Sequence, residues 1–336
     1  MQLNAAGSLA NTLAGCALLG QAHRNVSSKA EAAQPRIAMA GPIGDDDLGT
    51  VFQEQYSRTG VEWIEQAQPE SSTGTVMVLT TPDAQRSFLS YPGAPMQLTL
   101  SGSTRAAIGS ARCLVIEGYL WEFPGAAATV LKVMQKARAR GVTIAMTAAD
   151  VSVVKRCRGE MLEAMKLADI VFTNADEAQA LVGPGVGTIG ALLQQDCGNS
   201  RRKAEEAALQ LGRLCSVAVV TDGSRGSCVT ALGQLHVFPP HWSRDAPVDT
   251  CGAGDAYAAG FLHAYLSGMA VSDMGSFAAA TASAVISHQG PQLLPSEAKM
   301  LAQWRPAPQP TPRGPVHGNV DVLWESSRMW SVEAAM

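Results

Sequence analysis

The sequence predicts an α/β fold with a doubly wound, mainly parallel sheet and helices on both of its faces. Five short runs are almost entirely apolar and rich in β-branched residues, which is typical of parallel strands covered on both sides. Stretches with helical periodicity lie between them, and this alternation indicates βαβ units. The predicted strands are Ile37–Ala40, Cys113–Glu117, Thr143–Thr147, Asp169–Thr173 and Val217–Thr221, and the predicted helices are roughly Gly125–Arg140, Lys155–Ala168 and Lys203–Leu214.

Three segments depart from this alternation. Thr75–Thr80 and Ser87–Tyr91 flank the turn-rich connector TPDAQR, which predicts a β-hairpin or a small side sheet. After the last parallel strand, the runs SCVTAL and QLHVF are separated by Gly233, so we expect antiparallel strands at one edge. From Pro306 the segment PAPQPTPRGP predicts an extended linker, and we assign no element to Val316–Met336.

Length, charge and cysteine usage narrow the function classes. The 336 residues allow one large domain or two modest ones, and a net charge of −4 gives no basic footprint for nucleic acid. No run of 18 or more apolar residues predicts a membrane span. The seven cysteines are scattered and contain no C-x-x-C pair, which favours a reducing compartment over disulfides or structural zinc. Because the first residues lack a basic n-region, we expect them to belong to the fold of a cytoplasmic protein.

Two patterns that imitate functional sites favour ordinary explanations. The stretch GVGTIG, from Gly185 to Gly190, satisfies G-x-G-x-x-G, but it follows the helical pattern NADEAQALV instead of a strand. It is therefore interpreted as a loop and not as a dinucleotide site. Asp45, Asp46 and Asp47 are consecutive, and neighbouring side chains diverge, so they indicate a polar loop and not a metal site.

The most informative stretch is VDTCGAGDAYAAGF, from Val248 to Phe261. Gly252 and Gly254 permit a tight turn with bare N–H groups, and the residues after them have a helical pattern. Amides at a helix N-terminus bind anions. Asp255 falls in the first turn, where a helix cap and a catalytic base are equally well supported by this residue alone. An anion site beside a carboxylate is what phosphoryl transfer to an alcohol requires.

The stretch DTCGAGD resembles the C-terminal signature of the ribokinase/pfkB family of carbohydrate and nucleoside kinases. Other segments match in the family's order: AGSLANTLAGCALLG resembles the substrate-side segment and AGPIGDDDLG the N-terminal signature. NADE is similar to the N-x-x-E motif, and TDGSRG to the T-x-G-x-x-G nucleotide segment. The resemblance covers roughly residues 3 to 300 and is closest to plant and algal members. It implies a ribokinase-like fold with a small β lid that is incomplete at the N-terminus.

The resemblance also implies a role for each matched residue. Asp255 is the catalytic base, and the anion hole comprises Gly252, Ala253 and Gly254. The implied nucleotide-binding residues are Asn174, Glu177, Thr221, Gly223, Gly226 and His288, and the implied substrate-binding residues are Gly7 and Asn11. A helix cap with a first-turn acid remains the alternative for Asn174 and Glu177, and a structural cap remains the alternative for His288.

The implied cofactors are ATP and Mg²⁺, with K⁺ as a further option. Glu177 would approach Mg²⁺ mostly through water, since this ion keeps much of its hydration shell. Asp249 would help to hold the monovalent cation. The implied partner is a small sugar or nucleoside, with a homodimer as an option because relatives often dimerise through lid sheets.

The expected domain organisation follows from the same resemblance. Residues 1–305 are a kinase domain with lid elements around 74–92, and residues 306–336 are a proline-rich linker and tail. Family members normally begin with a strand carrying a substrate-binding aspartate, which this domain is expected to lack, and Ala6 replaces a family glycine. The first functional hypothesis is an ATP-dependent phosphotransferase that acts on an alcohol group of a sugar or nucleoside. The alternative is a catalytically weak or inactive kinase-derived binding or assembly protein. A plastid location is the alternative to cytoplasm if a transit segment is missing from this chain.

Overall fold

A six-stranded sheet forms the centre of the protein in a computed structural model. The structure describes residues 5–26, 36–65, 67–80, 86–93, 98, 100–183, 200–241 and 246–306. The strands are β1 Ile37–Met39, β2 Val61–Trp63, β3 Thr75–Thr80, β4 Arg86–Tyr91, β5 Cys113–Ile116, β6 Thr143–Thr147, β7 Ile170–Asn174, β8 Val217–Thr221, β9 Ser227–Ala231 and β10 Gln234–Phe238. The helices are α1 Ser8–Val26, α2 Asp47–Ser57, α3 Gly102–Ser110, α4 Ala126–Arg138, α5 Val151–Met165, α6 Ala175–Val182, α7 Ser200–Leu211, α8 Ala253–Leu266, α9 Val271–Val285 and α10 Pro295–Leu301.

The order of the central sheet is β10-β9-β8-β7-β6-β5. The strands β5 to β8 pair in parallel, whereas β9 and β10 are antiparallel additions at one edge. Four of the five predicted parallel strands and both predicted antiparallel edge strands are therefore confirmed. The helical patterns predicted between the strands correspond to α4, α5 and α7.

The first predicted strand does not belong to the central sheet. The segment predicted over Ile37–Ala40 forms β1, which pairs in parallel with β2 in a separate two-stranded sheet. Its residues alternate between half-buried and exposed. The run IAMA is apolar, but it is covered on one side at most, so apolar composition alone was a poor guide to burial on both faces.

Strand alternation distributes the core between the two faces of the central sheet. On β7, Ile170 and Phe172 pack with residues of α1, α8, α9 and α10, whereas Val171 points to the opposite face. That second face is covered by α4, α5, α6 and α7. Successive side chains of a strand point to opposite faces, so each all-apolar strand contributes side chains to the hydrophobic core on both faces of the sheet. The doubly wound architecture is thus confirmed.

Helices α1 and α8 cross at very short distance. A Cβ atom built on Gly15 would lie 2.7 Å from the Cβ of Ala259, so only glycine permits this approach. The close crossing brings the N-terminal turn of α1 beside the N-terminal turn of α8, where side chains of the two helices form hydrogen bonds.

The predicted hairpin is present, since β3 and β4 pair in antiparallel register with Met77 opposite Leu89. The connector over residues 81–85 lies outside the described residues, as do GVGTIG and the tail from residue 307. Met1–Trp304 group into one compact unit, but the predicted boundary at residue 305 stays a prediction. Asp46, from the acidic run, caps α2 by accepting a hydrogen bond of 2.8 Å from Gly49 N. No helix in the described ranges has the length and apolarity that a membrane crossing requires.

Candidate active site

The turn before α8 has the geometry that an anion site requires. Gly252 has a φ of +75°, and a Cβ atom there would lie 2.2 Å from the carbonyl oxygen of Pro291, so this position requires glycine. No side-chain hydrogen bond caps α8 among the described residues. A Cβ atom on Gly254 would have nothing within 4 Å, so open space lies in front of the first helical turn. The Gly254 amide can therefore receive an anion, whereas Ala253 N donates to the Thr250 carbonyl at 3.4 Å and would have to exchange this long bond for one to the anion.

Asp255, the third residue of α8, is held from α1. Ser8 Oγ donates to Asp255 Oδ1 at 2.9 Å, and Asn11 Nδ2 donates to Asp255 Oδ2 at 2.8 Å. Burial raises the pKa of Asp255, and the hydrogen bonds from Asn11 and Ser8 oppose this rise. The carboxylate is thus bound by side chains of another helix and does not cap its own.

The predicted substrate residues lie at the beginning of α1. Gly7 has a φ of +146°, and its carbonyl accepts from Asn11 N at 2.9 Å. The Asn11 side chain is buried between Asp255 and Tyr56, whose hydroxyl donates to Asn11 Oδ1 at 3.1 Å. The structure therefore brings Asn11 directly to the predicted base.

Asn174 and Glu177 form a reciprocal capping box at the carboxyl end of β7. Glu177 N donates to Asn174 Oδ1, and Asn174 N donates to Glu177 Oε2, both at 2.8 Å. This is the helix-cap arrangement that the sequence left as the alternative. It does not exclude metal binding, since a carboxylate oxygen has a second lone pair. Burial raises the pKa of Glu177 to about 7, opposed by the Asn174 amide and reinforced by the charge of Asp150. A cation would relieve this unfavourable burial of charge.

Thr221 is the last residue of the neighbouring strand β8, and Gly223 and Gly226 follow it. Thr221 is the register partner of Asn174, so both residues lie at the carboxyl ends of neighbouring parallel strands, where ligands bind in open α/β folds. Gly223 has a φ of +54° and open space where a Cβ would be. At Gly226, in contrast, a Cβ would lie 2.1 Å from the carbonyl oxygen of Phe238, so packing alone explains that glycine. Asp222 is buried and accepts two hydrogen bonds from Arg225.

Asp249 and His288 have structural contacts. Asp249 Oδ1 accepts from Cys251 N at 2.9 Å, and Asp249 Oδ2 accepts from Gly290 N at 3.1 Å. The bond from Gly290 joins the loop before α8 to the loop after α9, whereas the bond from Cys251 lies within the first of these loops. His288 Nε2 lies 3.2 Å from Glu297 Oε1. These contacts are also what a purely structural role would produce.

Glu117 is a candidate that the sequence analysis missed. It follows β5 and is 9% exposed; its Oε1 accepts from Thr147 Oγ1 at 2.7 Å, whereas its Oε2 is buried with no hydrogen-bond partner among the described residues. Burial raises the pKa of Glu117, opposed by Thr147 and reinforced by the charge of Asp255. The available signal was an acid directly after an apolar strand, in the same position as Asn174 after β7.

Comparisons with known proteins agree with this geometry. The family model described as pfkB family carbohydrate kinase matches residues 1–299. A nucleoside kinase of Methanothermobacter thermautotrophicus is 26% identical over 82% of this chain and 80% of its own length. A ribokinase of Mus musculus is 26% identical over 71% and 69%. The crystal structure of adenosine kinase from Sinorhizobium meliloti is 31% identical, with a TM-score of 0.73, over 89% of this chain and 82% of that one.

The ribokinase-like fold predicted from the motifs is confirmed, and so is the first functional hypothesis, a phosphotransferase of sugars or nucleosides; no finding favours the inactive alternative. ATP is the phosphoryl donor expected for such a protein. The chain belongs to the pfkB family of carbohydrate kinases.

Proposed function

We propose that Asp255 is the general base of an ATP-dependent phosphorylation and that the first-turn amides of Gly252, Ala253 and Gly254 bind the transferred phosphoryl group. The observation that carries this proposal is the juxtaposition of an open, uncapped helix N-terminus with a carboxylate oriented by Ser8 and Asn11. The acceptor hydroxyl gives its proton to Asp255 as its oxygen bonds to the γ-phosphorus, and the bond to the β-phosphate oxygen breaks. The products are the phosphate ester, ADP and a proton.

The nucleotide would lie along the carboxyl ends of β7 and β8. Thr221 and the open backbone at Gly223 face this edge, and Glu177 with Asn174 offers the oxygen ligands that Mg²⁺ prefers, here through water. The metal would supply charge neutralisation on the phosphates. The raised pKa of Glu177 supports this assignment, because a buried carboxylate next to a cation regains its charge.

The acceptor would contact Gly7, Asn11 and Glu117. Glu117 lies close enough to Asp255 for their charges to interact, and its carboxylate is a hydrogen-bond acceptor, so it suits a hydroxyl group of the substrate. A nucleoside is the first acceptor to test, since two of the relatives are named nucleoside kinase and adenosine kinase. A free sugar is the second, because another relative is named ribokinase.

Three further properties complete the proposal. K⁺ would bind near Asp249, between the two loops that this residue joins; replacing K⁺ by Li⁺ in the assay tests this. A homodimer through β3 and β4 is supported by the exposed apolar side chains Val76, Met77, Val78, Leu79 and Leu89, and light scattering tests it. The cysteines are scattered along the sequence without a C-x-x-C pair, which suits a reducing compartment, so we propose the cytoplasm, to be tested by imaging a tagged protein.

The experiment is phosphoryl transfer from ATP with Mg²⁺ to adenosine, inosine, guanosine, ribose and fructose. Asp255→Asn should lower kcat by roughly 10²- to 10⁴-fold on the best acceptor, which is the range for a general base. Asp273→Asn is a matched control, since Asp273 also lies in the first turn of a helix, α9. It should keep the parent rate. Equal rates for Asp255→Asn and the parent protein would refute the assigned role.

A further inference from the structure

A chain of directed hydrogen bonds lies behind Asp255 and leads away from it. Asn11 donates to Asp255 Oδ2, and the Tyr56 hydroxyl donates to Asn11 Oδ1. Gln292 Nε2 in turn donates to the Tyr56 hydroxyl at 3.1 Å and to the carbonyl oxygen of Ala5 at 2.7 Å. Tyr56 belongs to α2, is only 2% exposed and packs against Phe52 with ring centroids 4.7 Å apart. The chain thus joins α2 and the loop before α10 to the predicted base.

The donors and acceptors in this chain permit one direction only. The two N–H groups of Gln292 are used by Ala5 and Tyr56, so the Tyr56 oxygen accepts and its own proton must go elsewhere. The nearer acceptor is Asn11 Oδ1 at 3.1 Å, since the carbonyl oxygen of Ala5 is 3.4 Å away and already accepts from Gln292. With Oδ1 facing Tyr56, the amide NH₂ of Asn11 must face Asp255. A flipped amide would place Oδ1 against the carboxylate and NH₂ against the Gln292-bound hydroxyl.

We infer that Tyr56 is a positioning residue: its hydroxyl, held by Gln292, fixes the orientation of the Asn11 amide and thereby keeps Asn11 donating to Asp255. This inference rests on the proposed role of Asp255 as base. Ser8 holds the other carboxylate oxygen, so the two donors fix the rotation of the carboxylate about its χ angles. Each oxygen keeps a lone pair for the acceptor hydroxyl.

The groups that face Asp255 determine in which direction its pKa changes when the Asn11 donor is lost. Burial raises its pKa and the donors Asn11 and Ser8 of α1 lower it; the titratable neighbours are Glu117 after β5 and Tyr56 of α2. Loss of the Asn11 donor therefore raises the pKa of Asp255 further, and the carboxylate is protonated at higher pH. Activity should then be lost on the acid side and retained on the alkaline side.

The test is Tyr56→Phe in the full chain, with Tyr257→Phe as a matched control. Phe preserves the ring packing and removes only the hydroxyl. Tyr257 is also buried and its hydroxyl lies 2.7 Å from Ser227 Oγ, so its variant loses a comparable hydrogen bond without touching Asn11. The first readout is the titration of the Asp255 carboxyl carbon by ¹³C NMR in the free protein, with the resonance assigned by its loss in Asp255→Asn. Tyr56→Phe should move this titration to higher pH, whereas Tyr257→Phe should leave it where the parent has it. An unchanged Asp255 titration in Tyr56→Phe would overturn the inference.

The second readout is the pH profile of kcat/KM with the best acceptor. Tyr56→Phe should lower the acid limb by about tenfold and the alkaline plateau by less than about threefold, because only the fraction of ionised base changes. In the Asn11→Ala background the same substitution should add nothing to the acid limb, since Tyr56 acts through Asn11. An additive effect there would refute the proposed route. The NMR readout needs no turnover, so an inactive parent protein or an active Asp255→Asn would refute the proposed function and not the Tyr56 inference.

Discussion

Substitution of Gly254 by alanine should lower activity without lowering stability, so it tests the anion site independently of the folding of α8. A Cβ atom at this position meets nothing within 4 Å, and its φ is not in the left-handed region. Since alanine is the better helix former, Gly254→Ala should leave the free energy of unfolding unchanged or raise it by up to about 1 kcal/mol. The added methyl group, however, occupies the space in front of the first-turn amides. Loss of one such donor typically lowers kcat by roughly 10²- to 10³-fold, so we expect a loss of that order.

Gly252→Ala, in the same turn, should lower the free energy of unfolding as well as the activity. The left-handed φ of +75° costs an L residue about 1–2 kcal/mol. The 2.2 Å approach to the carbonyl oxygen of Pro291 forces a displacement that costs about 1–3 kcal/mol more. This variant should therefore lose roughly 2–5 kcal/mol of unfolding free energy together with activity.

The assays are urea unfolding of both variants and steady-state phosphoryl transfer with ATP as the varied substrate. Gly254→Ala should be as stable as the parent and slow, whereas Gly252→Ala should be both unstable and slow. Parent-like kcat and parent-like KM for ATP in Gly254→Ala would refute the reasoning, because the space in front of the helix would then not be used by the phosphate.

Three further predictions follow from buried groups and close contacts. Between pH 4.5 and about 7 the folded state binds the proton of Glu177 more tightly than the unfolded state, so the free energy of unfolding falls as pH rises through this window. At pH 8, urea titrations of the free protein should show that Glu177→Gln raises the free energy of unfolding by at most roughly 3 kcal/mol. The same variant should lose Mg²⁺-dependent activity. His263 stacks on His23, and burial lowers its pKa to about 4, so the contribution of the neutral imidazole to stability is complete above pH 6.5 and is lost toward pH 4. His263→Phe should therefore reduce the fall of Tm between pH 6.5 and 4.5. A fall as steep as that of the parent protein would show that His263 does not cause it. Gly15→Ala should cost about 1–3 kcal/mol and lower kcat as well, because the 2.7 Å contact with Ala259 separates α1 from α8; parent-like activity in a destabilised variant would show that the crossing does not set the site.

The sequence predicted those parts of the protein that depend on neighbouring residues. The glycine turn before Asp255 and the four central parallel strands have local signatures, and the structure agrees with both. The prediction for Ile37–Ala40 was wrong about its sheet, since strand pairing is a long-range choice that a four-residue apolar run does not encode. Ser8, Tyr56 and Glu117 were missed for a similar reason. Nothing in the immediate surroundings of Ser8 and Tyr56 distinguishes them, and for Glu117 the only local signal is its place after an apolar strand; their chemistry arises from contacts with distant parts of the chain.

The hydrogen bonds from Ser8 and Asn11 to Asp255 span 247 and 244 positions of the chain. The predicted base is consequently assembled only after nearly the whole polypeptide has left the ribosome, because a nascent chain that ends before α8 contains both donors but no acceptor for them. Contacts of such long sequence separation also form late and slowly during folding. After a pulse of synthesis, phosphotransferase activity should therefore appear later than helical content. The delay would measure the time between the folding of α1 and its contact with α8.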